Sequence, residues 1–396
     1  MRVLSVTAQK PCSTGSGVYL TEVVRSLAKM GVSQAVVAGV TREDRVDMPE
    51  GVTVYPVYFS SEKLPYPVVG MSDEMPYTST RYRDMTEEMA GQFKAAFLEV
   101  LDEAIEKENP DIILCHHLYY LTALIRAHYP AKKVYGFCHN TDLRQMESIL
   151  FERNFIRQEI PKLDRIFAIQ EAQKEKIKKI YPVSEKQMTV IGTGYNSEVF
   201  KKTGIKLSRK DGKIRMIFAG KITQKKGVKS LLRALNLLDY EKEKIQLILA
   251  GGAGNLVEYE EIKELADGCR YPVVFAGCVT QSRLAELYND CDIFVLPSMY
   301  EGLPLTVIES LACGDRVVMT KLEGIAEWLA DMVPDADIRY VLPPGMKGTD
   351  EPLEEELPAF ESRLAEALRE AIEEKDTKEC DVSRISWQKI AREVIR

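Results

Sequence analysis

The chain has 396 residues, of which 45% are hydrophobic and 29% are charged, a balance typical of a soluble globular protein with about two domains. Its formal net charge of -7 argues against a nucleic-acid backbone as partner. No apolar run approaches the roughly 18–20 residues that cross a membrane, and no charged segment with an apolar core precedes the first predicted strand. We therefore expect neither a membrane span nor a signal peptide.

The N-terminal half alternates short apolar runs with amphipathic segments, a pattern typical of parallel sheets with crossover helices. We predict helices over 18–30 and 86–108, and strands over 3–7, 34–39, 53–58, 112–114, 133–138, 165–169 and 188–191. The segment 60–82 interrupts this pattern with three prolines and three tyrosines, Tyr77 among them. It is predicted to be a long loop, either a lid on the acceptor side of a site or an ordinary connection.

The chain turns polar over 201–212, and a new strand over 214–220 then restarts the alternation. Further strands are predicted over 246–250, 273–276, 293–296 and 317–320. The sequence therefore predicts two α/β units, 1–200 joined by the last helix 383–396, and 201–382. Ligands of open α/β sheets bind at the carboxyl ends of the strands, so we expect a cleft where loops from both units meet.

The strongest motif follows the predicted strand 293–296. Its loop holds Glu301 and Gly302, Pro304 suits the first turn of a helix, and Gly314 suits that helix's end. Such a helix N-terminus favours a diphosphate, and Glu301 and Glu309 would contact hydroxyl groups at the two ends of a nucleotide sugar. The alternative makes Glu301 a partner of the helix dipole and Glu309 a solvated surface residue.

A second motif follows the strand 214–220, where Gly220 precedes three lysines at Lys221, Lys225 and Lys226 and then a leucine-rich helix. Cations at the carboxyl edge of a sheet fit the neutralisation of phosphate groups. Lysines are also common at the start of a surface helix, and that alternative stays open for this motif alone.

Taken together, the two motifs resemble those of the retaining glycosyltransferases of family 4, which have the GT-B fold. The segment 220–227 resembles the family's Gly-Arg-Leu-x-x-x-Lys-Gly, and 301–309 resembles its Glu-Gly-x-x-x-x-x-x-Glu. The resemblance continues through Gly251-Gly252, Phe275-Ala276-Gly277 and 322–327. In the N-terminal half it is carried by the glycine-rich stretch 15–19, by 139–142, by 191–196 and by Trp387.

The resemblance implies an α/β fold of two Rossmann-like domains facing across a cleft, with an N-terminal acceptor-binding domain and a C-terminal nucleotide-sugar-binding domain. It implies that Glu309 holds the ribose, that Glu301 holds the donor sugar, and that Lys226 neutralises the diphosphate. Lys221 stands where the family usually has arginine, so its contact with phosphate would be a point charge rather than a bidentate fork. The remaining residues that the resemblance places at the site are His139 as a catalytic contact, Asp142 on the acceptor side, and Gly15, Gly17, Gly220, Gly302, Leu303, Pro304 and Leu305 at the donor. Tyr77 of the segment 60–82 is a further acceptor-side candidate, from the lid interpretation of that loop.

No metal or cofactor is expected, because Lys226, Lys221 and the helix dipole can stabilise the departing diphosphate. Two Asp-x-Asp motifs occur, at 290–292 and 335–337. The first precedes a strand and the second follows none, so we expect both to be structural. Adjacent side chains on extended backbone point in different directions, so we expect no ligand role for His116 and His117. The eight cysteines lack zinc-site or redox spacing, and we expect free thiols in a reducing cytoplasm.

The sequence thus predicts a retaining, metal-independent transferase that moves a hexose-type sugar from a nucleotide diphosphate, by default UDP, to a glycan or lipid-linked acceptor. The alternatives are a nucleotide-sugar epimerase or a phosphorylase of the same fold, and a protein that binds nucleotide sugars without catalysis. A cytoplasmic location is expected. Peripheral contact with the inner face of a membrane is a further hypothesis, based on a basic stretch in 174–179.

Overall fold

The computed structural model describes residues 1–11, 13–209, 211–348, 351–374 and 380–396. The chain divides into two compact units, Met1–Gly194 with Trp387–Arg396, and Tyr195–Ser386. These bounds differ by a few residues from those predicted. Phe200 and Ile385 are both buried in the hydrophobic core of the second unit. The chain segments near both ends of this unit therefore belong to it by their packing.

The first unit is built on a parallel seven-stranded sheet with the order β3-β2-β1-β6-β7-β8-β9. The strands of this unit, including the short pair β4 and β5, are β1 Arg2–Thr7, β2 Ser33–Val40, β3 Thr53–Tyr58, β4 Val69–Gly70, β5 Thr80–Arg81, β6 Ile112–His116, β7 Lys133–Phe137, β8 Arg165–Ala168 and β9 Met188–Val190. Its helices before the crossover are α1 Gly15–Lys29, α2 Glu87–Glu108, α3 Tyr120–His128, α4 Thr141–Ser148, α5 Arg153–Glu159 and α6 Glu171–Ile180.

The segment 60–82 is more ordered than the predicted loop. It contains β4 and β5, which pair in parallel, and it is anchored to helices by side-chain hydrogen bonds. The Tyr66 hydroxyl donates to the carbonyl of Met89, 2.7 Å away, and the Gln145 amide donates to the carbonyl of Met71, 3.0 Å away. The segment is therefore packed onto its own unit. This packing favours an ordinary connection over a lid.

The second unit is built on a parallel six-stranded sheet with the order β12-β11-β10-β13-β14-β15. Its strands are β10 Ile214–Ala219, β11 Ile245–Ala250, β12 Val273–Gly277, β13 Ile293–Leu296, β14 Arg316–Thr320, β15 Ile338–Val341, and the hairpin strands β16 Met346–Lys347 and β17 Glu351–Pro352. Its helices are α7 Ile205–Ser208, α8 Val228–Asn236, α9 Leu256–Asp267, α10 Gln281–Asp290, α11 Leu305–Ala312, α12 Ile325–Met332 and α13 Leu357–Glu373. The sequence prediction lacked β15, whose Arg339 and Tyr340 interrupt the apolar run.

The last helix, α14 Trp387–Val394, belongs to the first unit. The Trp387 ring meets the Tyr19 ring edge-on, with centroids 4.8 Å apart. A Cβ atom at Gly194 would lie 2.4 Å from the Trp387 amide nitrogen, so only glycine allows this approach. The last helix therefore packs within the first unit. In the described part of the chain, no helix is both long and apolar enough to span a bilayer.

Candidate active site

The lysine motif and the glutamate motif meet at the topological switch point of the second sheet. The chain leaves β10 toward β11 on one side, and β13 pairs with β10 on the other, which is where ligands of open α/β sheets bind. The Met299 amide donates to the carbonyl of Lys225, 3.0 Å away. A Cβ atom at Gly227, whose φ is +74°, would lie 2.0 Å from the Pro297 carbonyl oxygen. Glycine at this position therefore lets the two loops pack together.

Lys226 and Glu301 form an ion pair at this switch point. Lys226 Nζ lies 2.6 Å from Glu301 Oε1 and 3.4 Å from the Tyr300 carbonyl oxygen. The side chains are 27% and 15% exposed, so both charges are close to the surface of the unit. A ligand with an anionic group and a hydroxyl group would find a partner for each in this pair.

Helix α11 begins directly after this loop, with Pro304 as its N-cap and no capping side chain among the described residues. The helix N-terminus carries a partial positive charge, which favours an anion there. Glu309 lies on the second turn and is 6% exposed. The alternative of a solvated surface glutamate is therefore wrong, and a carboxylate held in this position is suited to accept hydrogen bonds from a ligand.

Gly220 and Gly251 end two neighbouring strands with φ values of +156° and +150°. A Cβ atom at Gly251 would lie 1.7 Å from the Gly220 carbonyl oxygen, so the two backbones touch at the carboxyl edge. Lys221 follows Gly220 and is half-buried. Gly220 and Lys221 are thus at the same edge of the sheet as the ion pair, as the motif predicts.

The Asp-x-Asp motifs are engaged elsewhere. Asp292 precedes β13 at the amino end of the sheet, accepts a hydrogen bond from the Arg215 amide at 2.8 Å, and pairs with Arg209 at 2.5 Å. Asp337 pairs with Arg339 at 2.6 Å and with Arg316 at 3.3 Å. Both motifs therefore bind arginines of their own unit, as expected of structural residues, although the second one is followed by the unpredicted strand β15.

In the first unit, the glycine-rich stretch forms the start of α1. The Thr14 hydroxyl caps the helix by accepting a hydrogen bond from the Gly17 amide at 3.1 Å. A Cβ atom at Gly15 would meet no atom within 4 Å, so packing inside the chain does not require glycine there. That a ligand approaches the backbone at Gly15 stays a prediction.

Three histidines gather beside this helix start. His116 Nδ1 and His139 Nε2 are joined by a 3.1 Å hydrogen bond, and His117 Nε2 is hydrogen-bonded to Ser16 Oγ at 3.1 Å. Burial lowers the pKa of His139 to about 3 and lowers the pKa values of His116 and His117 well below the usual histidine range. All three rings are therefore neutral at physiological pH. The sequence predicts no ligand role for His116 and His117, and its pattern does not reveal that these rings contact His139 and Ser16.

The backbone around these histidines is held in unusual conformations. His117 and Asn140 have φ values of +74° and +68°, which non-glycine residues rarely adopt and which cluster at functional sites. Asp142 is fully buried and accepts hydrogen bonds from the amides of Leu118, at 2.7 Å, and His139, at 3.2 Å. Because its carboxylate faces these amides, Asp142 holds the backbone of His139 in place, and its acceptor-side role stays a prediction.

Tyr77 also lies within the first unit. The ammonium group of Lys10 lies 5.0 Å from the centre of its ring, and burial raises the pKa of its hydroxyl. The hydroxyl oxygen is buried and has no hydrogen-bond partner in the described ranges. Tyr77 thus packs its hydroxyl within the first unit, and its acceptor-side role stays a prediction.

The basic stretch of α6 is largely neutralised by its own neighbours. Lys174 pairs with Glu171 at 2.8 Å and also with Glu185, and Lys178 pairs with Glu175 at 2.5 Å. These acidic partners reduce the attraction of this helix for anionic lipid. The described cysteines are all free thiols, as predicted, and Cys12 lies outside the described residues.

Both units resemble known protein families, and the whole chain resembles solved structures. Residues 13–199 match the family described as Glycosyltransferase Family 4, and residues 200–356 match the Glycosyl transferases group 1. The chain is 24% identical over 253 residues to alpha-maltose-1-phosphate synthase of Mycobacterium tuberculosis, covering 58% of this chain and 61% of that protein. It is 35% identical over 106 residues to N,N'-diacetylbacillosaminyl-diphospho-undecaprenol alpha-1,3-N-acetylgalactosaminyltransferase of Campylobacter jejuni, covering 27% of this chain and 26% of that protein.

The chain thus spans less than two thirds of either relative, whereas solved structures match it throughout. Sucrose-phosphate synthase of Thermosynechococcus elongatus superposes with a TM-score of 0.69 and 15% identity, covering 100% of this chain and 97% of that chain. Anabaena HepE in complex with UDP superposes with a TM-score of 0.65 and 14% identity, covering 100% and 98%. These likenesses show the fold, and the family matches run through both units: the chain belongs to the group 1 glycosyltransferases and has the GT-B fold of two Rossmann-like units.

Proposed function

We propose that this protein is a retaining glycosyltransferase that moves a hexose-type sugar from a nucleotide diphosphate to an acceptor hydroxyl. The observation that carries the proposal is the Lys226–Glu301 pair, whose atoms lie 2.6 Å apart at the switch point beside the start of α11. One partner suits the diphosphate and the other suits the hydroxyl groups of the donor sugar. The membership in a family of transferases supports the same chemistry.

In this proposal, Glu309 accepts hydrogen bonds from the ribose hydroxyls. Its 6% exposure makes it a rigid carboxylate, and hydrogen bonds to a charged acceptor are the strong ones. The backbone of Gly302, Leu303, Pro304 and Leu305 surrounds the sugar and phosphates, where the dipole of α11 adds to the field. Gly15 and Gly17 let the donor approach the backbone at the start of α1, where the Gly17 amide already donates to the Thr14 hydroxyl. UDP is the proposed nucleotide, supported by its presence in the complex of the structural neighbour HepE.

The acceptor oxygen forms a bond to the anomeric carbon while the bond from that carbon to the diphosphate breaks. The proton of the acceptor passes to the departing phosphate oxygen, so the charge to be stabilised lies on the diphosphate. Lys226, Lys221 and the dipole of α11 supply this stabilisation. The proposal requires no metal, and it is supported by the engagement of Asp292 and Asp337 with arginines.

For the acceptor, we propose a glycan or a lipid-linked glycan. The name of the Campylobacter relative includes a diphospho-undecaprenol group, which supports a lipid-linked acceptor for this chain too. We place the reaction in the cytoplasm, at the inner face of the membrane if the acceptor is a lipid. The neutralised lysines of α6 give no support to membrane binding through that helix.

Thermal-shift binding tests the donor site. We expect one of UDP, GDP and ADP, and by our proposal UDP, to raise the melting temperature of the wild type equally with and without EDTA. The Glu309→Ala variant should lose this shift, because the ribose loses its carboxylate partner. Absence of binding by all three nucleotides, or binding that requires a divalent cation, would contradict the proposal.

Transfer itself needs a second readout, because a binding protein or an epimerase would also be stabilised by the nucleotide. A transferase releases UDP from a UDP-sugar only when an acceptor hydroxyl is supplied, and the product keeps the anomeric configuration of the donor. Interconversion of the sugar on an intact nucleotide would favour the epimerase alternative. Saturable binding without release under any acceptor would favour the non-catalytic alternative.

A further inference from the structure

His116, which the sequence analysis set aside, is the inner member of a pair of hydrogen-bonded neutral rings. It ends β6, is 4% exposed, and stacks on Phe137 with ring centroids 4.7 Å apart. Its Nδ1 faces His139 Nε2 at 3.1 Å. Its Nε2 is buried and has no hydrogen-bond partner in the part of the chain that the structure describes.

The orphaned nitrogen decides which way the hydrogen bond runs. A neutral imidazole carries one proton, on either Nδ1 or Nε2. If His116 Nδ1 accepted the bond, its proton would sit on Nε2 as a buried N–H group without a partner. Orphaned buried N–H groups are rarer than under-satisfied acceptors. The favoured arrangement therefore has His116 donating through Nδ1 and leaves its Nε2 as the unpaired acceptor.

This direction fixes the second ring. His139 Nε2 must accept the proton of His116, so the single proton of His139 lies on Nδ1. The His139 ring is partly exposed, and among the described residues no partner contacts this Nδ1. Burial holds the pKa of His139 at about 3, so the ring stays neutral and the tautomer is defined throughout the physiological pH range.

We infer that His116 is a positioning residue that locks His139 in the Nδ1–H tautomer, so that His139 meets a ligand oxygen as a hydrogen-bond donor and not as a general base. The inference rests on the proposed function for the ligand, which would be a sugar or acceptor oxygen. It adds a role that neither His139 alone nor the family motif supplies. Other supports hold the His139 ring in place, since the Tyr19 ring meets it edge-on at 5.3 Å and Asp142 holds its amide.

The tautomer is measured directly by the ring ¹⁵N shifts and two-bond ¹H–¹⁵N correlations of the full-length protein at pH 7. The chain has 4 histidines, so single substitutions assign every ring. We expect His139 to show a protonated Nδ1 and an unprotonated Nε2. A protonated Nε2 on His139 would overturn the inference, and this readout needs neither a donor nor an acceptor.

Two near-isosteric variants then test the role of His116. Asparagine keeps a donor close to the Nδ1 position, and leucine removes it. We expect His116→Leu to lose the Nδ1–H tautomer of His139 and His116→Asn to retain it. In transfer assays, kcat/KM should fall roughly ten- to hundredfold in His116→Leu, about the cost of leaving a buried hydrogen-bonding group without its partner, and recover to within about threefold in His116→Asn. The Kd for UDP should stay unchanged in both.

The outcomes separate this inference from the proposed function. If the wild type shows the Nδ1–H tautomer of His139 but transfers no sugar, the proposed function is contradicted. The tautomer that this inference predicts has then still been observed. A locked wild type whose His116→Leu variant keeps both the tautomer and kcat/KM contradicts the role of His116. Equal losses in the leucine and asparagine variants would indicate a merely structural position and would also overturn it.

Discussion

The Lys226–Glu301 cluster of the second unit and the histidine cluster of the first unit handle charge in opposite ways. In the second unit, Lys226 and Glu301 are charged, partly exposed and paired at 2.6 Å. In the first unit, His116, His117 and His139 are neutral, because burial lowers the pKa of each ring. One cluster provides full charges, and the other provides hydrogen bonds of fixed direction.

Under the proposed function, this difference corresponds to a division of labour. Full charges bind and stabilise a diphosphate, whose charge grows as the sugar leaves. Neutral rings carry no charge that would attract that diphosphate. They can form hydrogen bonds to a sugar or acceptor hydroxyl without placing a charge beside it. Substitutions in the charged cluster should therefore change kcat and the affinity for the nucleotide. Substitutions in the histidine cluster should change kcat/KM for transfer and the pH dependence of the free energy of unfolding.

The largest expected effect comes from breaking the charged cluster at Lys226. We expect Lys226→Ala to lower kcat by about 10²–10³-fold, the usual cost of removing one group that stabilises the charge of the transition state. Steady-state release of UDP from a UDP-sugar measures it. The matched control is Lys229→Ala, since Lys229 is also a lysine paired with a glutamate, Glu261, at 2.6 Å.

Normal turnover in Lys226→Ala would remove the account of how the leaving group is stabilised. An equal loss in Lys229→Ala would show that lysine removal acts through folding or overall charge. Only a loss confined to Lys226 supports the proposed site, because both lysines belong to the same region of the second unit and differ in their position at the switch point.

The charged cluster was largely predictable from the sequence, because each of its residues lies in a local strand–loop–helix motif. Lys226 follows β10 and Glu301 follows β13, and both bounds were found to within a residue. The distance between them was not predictable. It depends on β10 and β13 being neighbours in the sheet, a pairing between strands that are far apart in the chain.

The histidine cluster was much less predictable. His116 and His139 belong to different motifs, and their contact follows from the parallel pairing of β6 with β7, in which His116 stands opposite Phe137. The pattern of residues also does not reveal that Asp142 is fully buried. An aspartate three residues after this histidine suggests ligand binding, whereas its bond to the Leu118 amide, which is distant in the chain, becomes known only from the structure.

The histidine cluster predicts an intermediate effect, on stability against pH. The unfolded chain takes up a proton on His139 near pH 6.5, while the folded protein does so only near pH 3. Stability is therefore lost as the pH falls from about 6.5 towards about 3. Between pH 6.5 and 5, His139 alone should lower the free energy of unfolding by an amount on the order of 1–2 kcal/mol.

Denaturant unfolding at several pH values measures this effect. We expect His139→Gln, which keeps a polar group near Nε2, to flatten the decrease relative to the wild type. His128→Gln is the control, because His128 lies on the exposed side of α3 with 43% of its side chain accessible. Identical pH profiles for His139→Gln and the wild type would contradict a buried, neutral His139.

The smallest expected effect sharpens the charged side of the comparison. In Glu301→Gln, Lys226 loses its partner and becomes available to phosphate, so we expect UDP to bind roughly two- to fivefold more tightly, the range that a partly exposed ion pair allows. The same variant should transfer sugar about tenfold more slowly, because an amide binds a sugar hydroxyl less strongly than a carboxylate does. Calorimetric titration with UDP and a transfer assay give both numbers, and Glu261→Gln is the matched control.

Opposite signs in the two measurements are the signature of Glu301 as the sugar's partner. Weaker binding of UDP together with slower transfer would instead indicate that Glu301 serves to hold Lys226 in place, and the charged pair would then be a single phosphate-binding device.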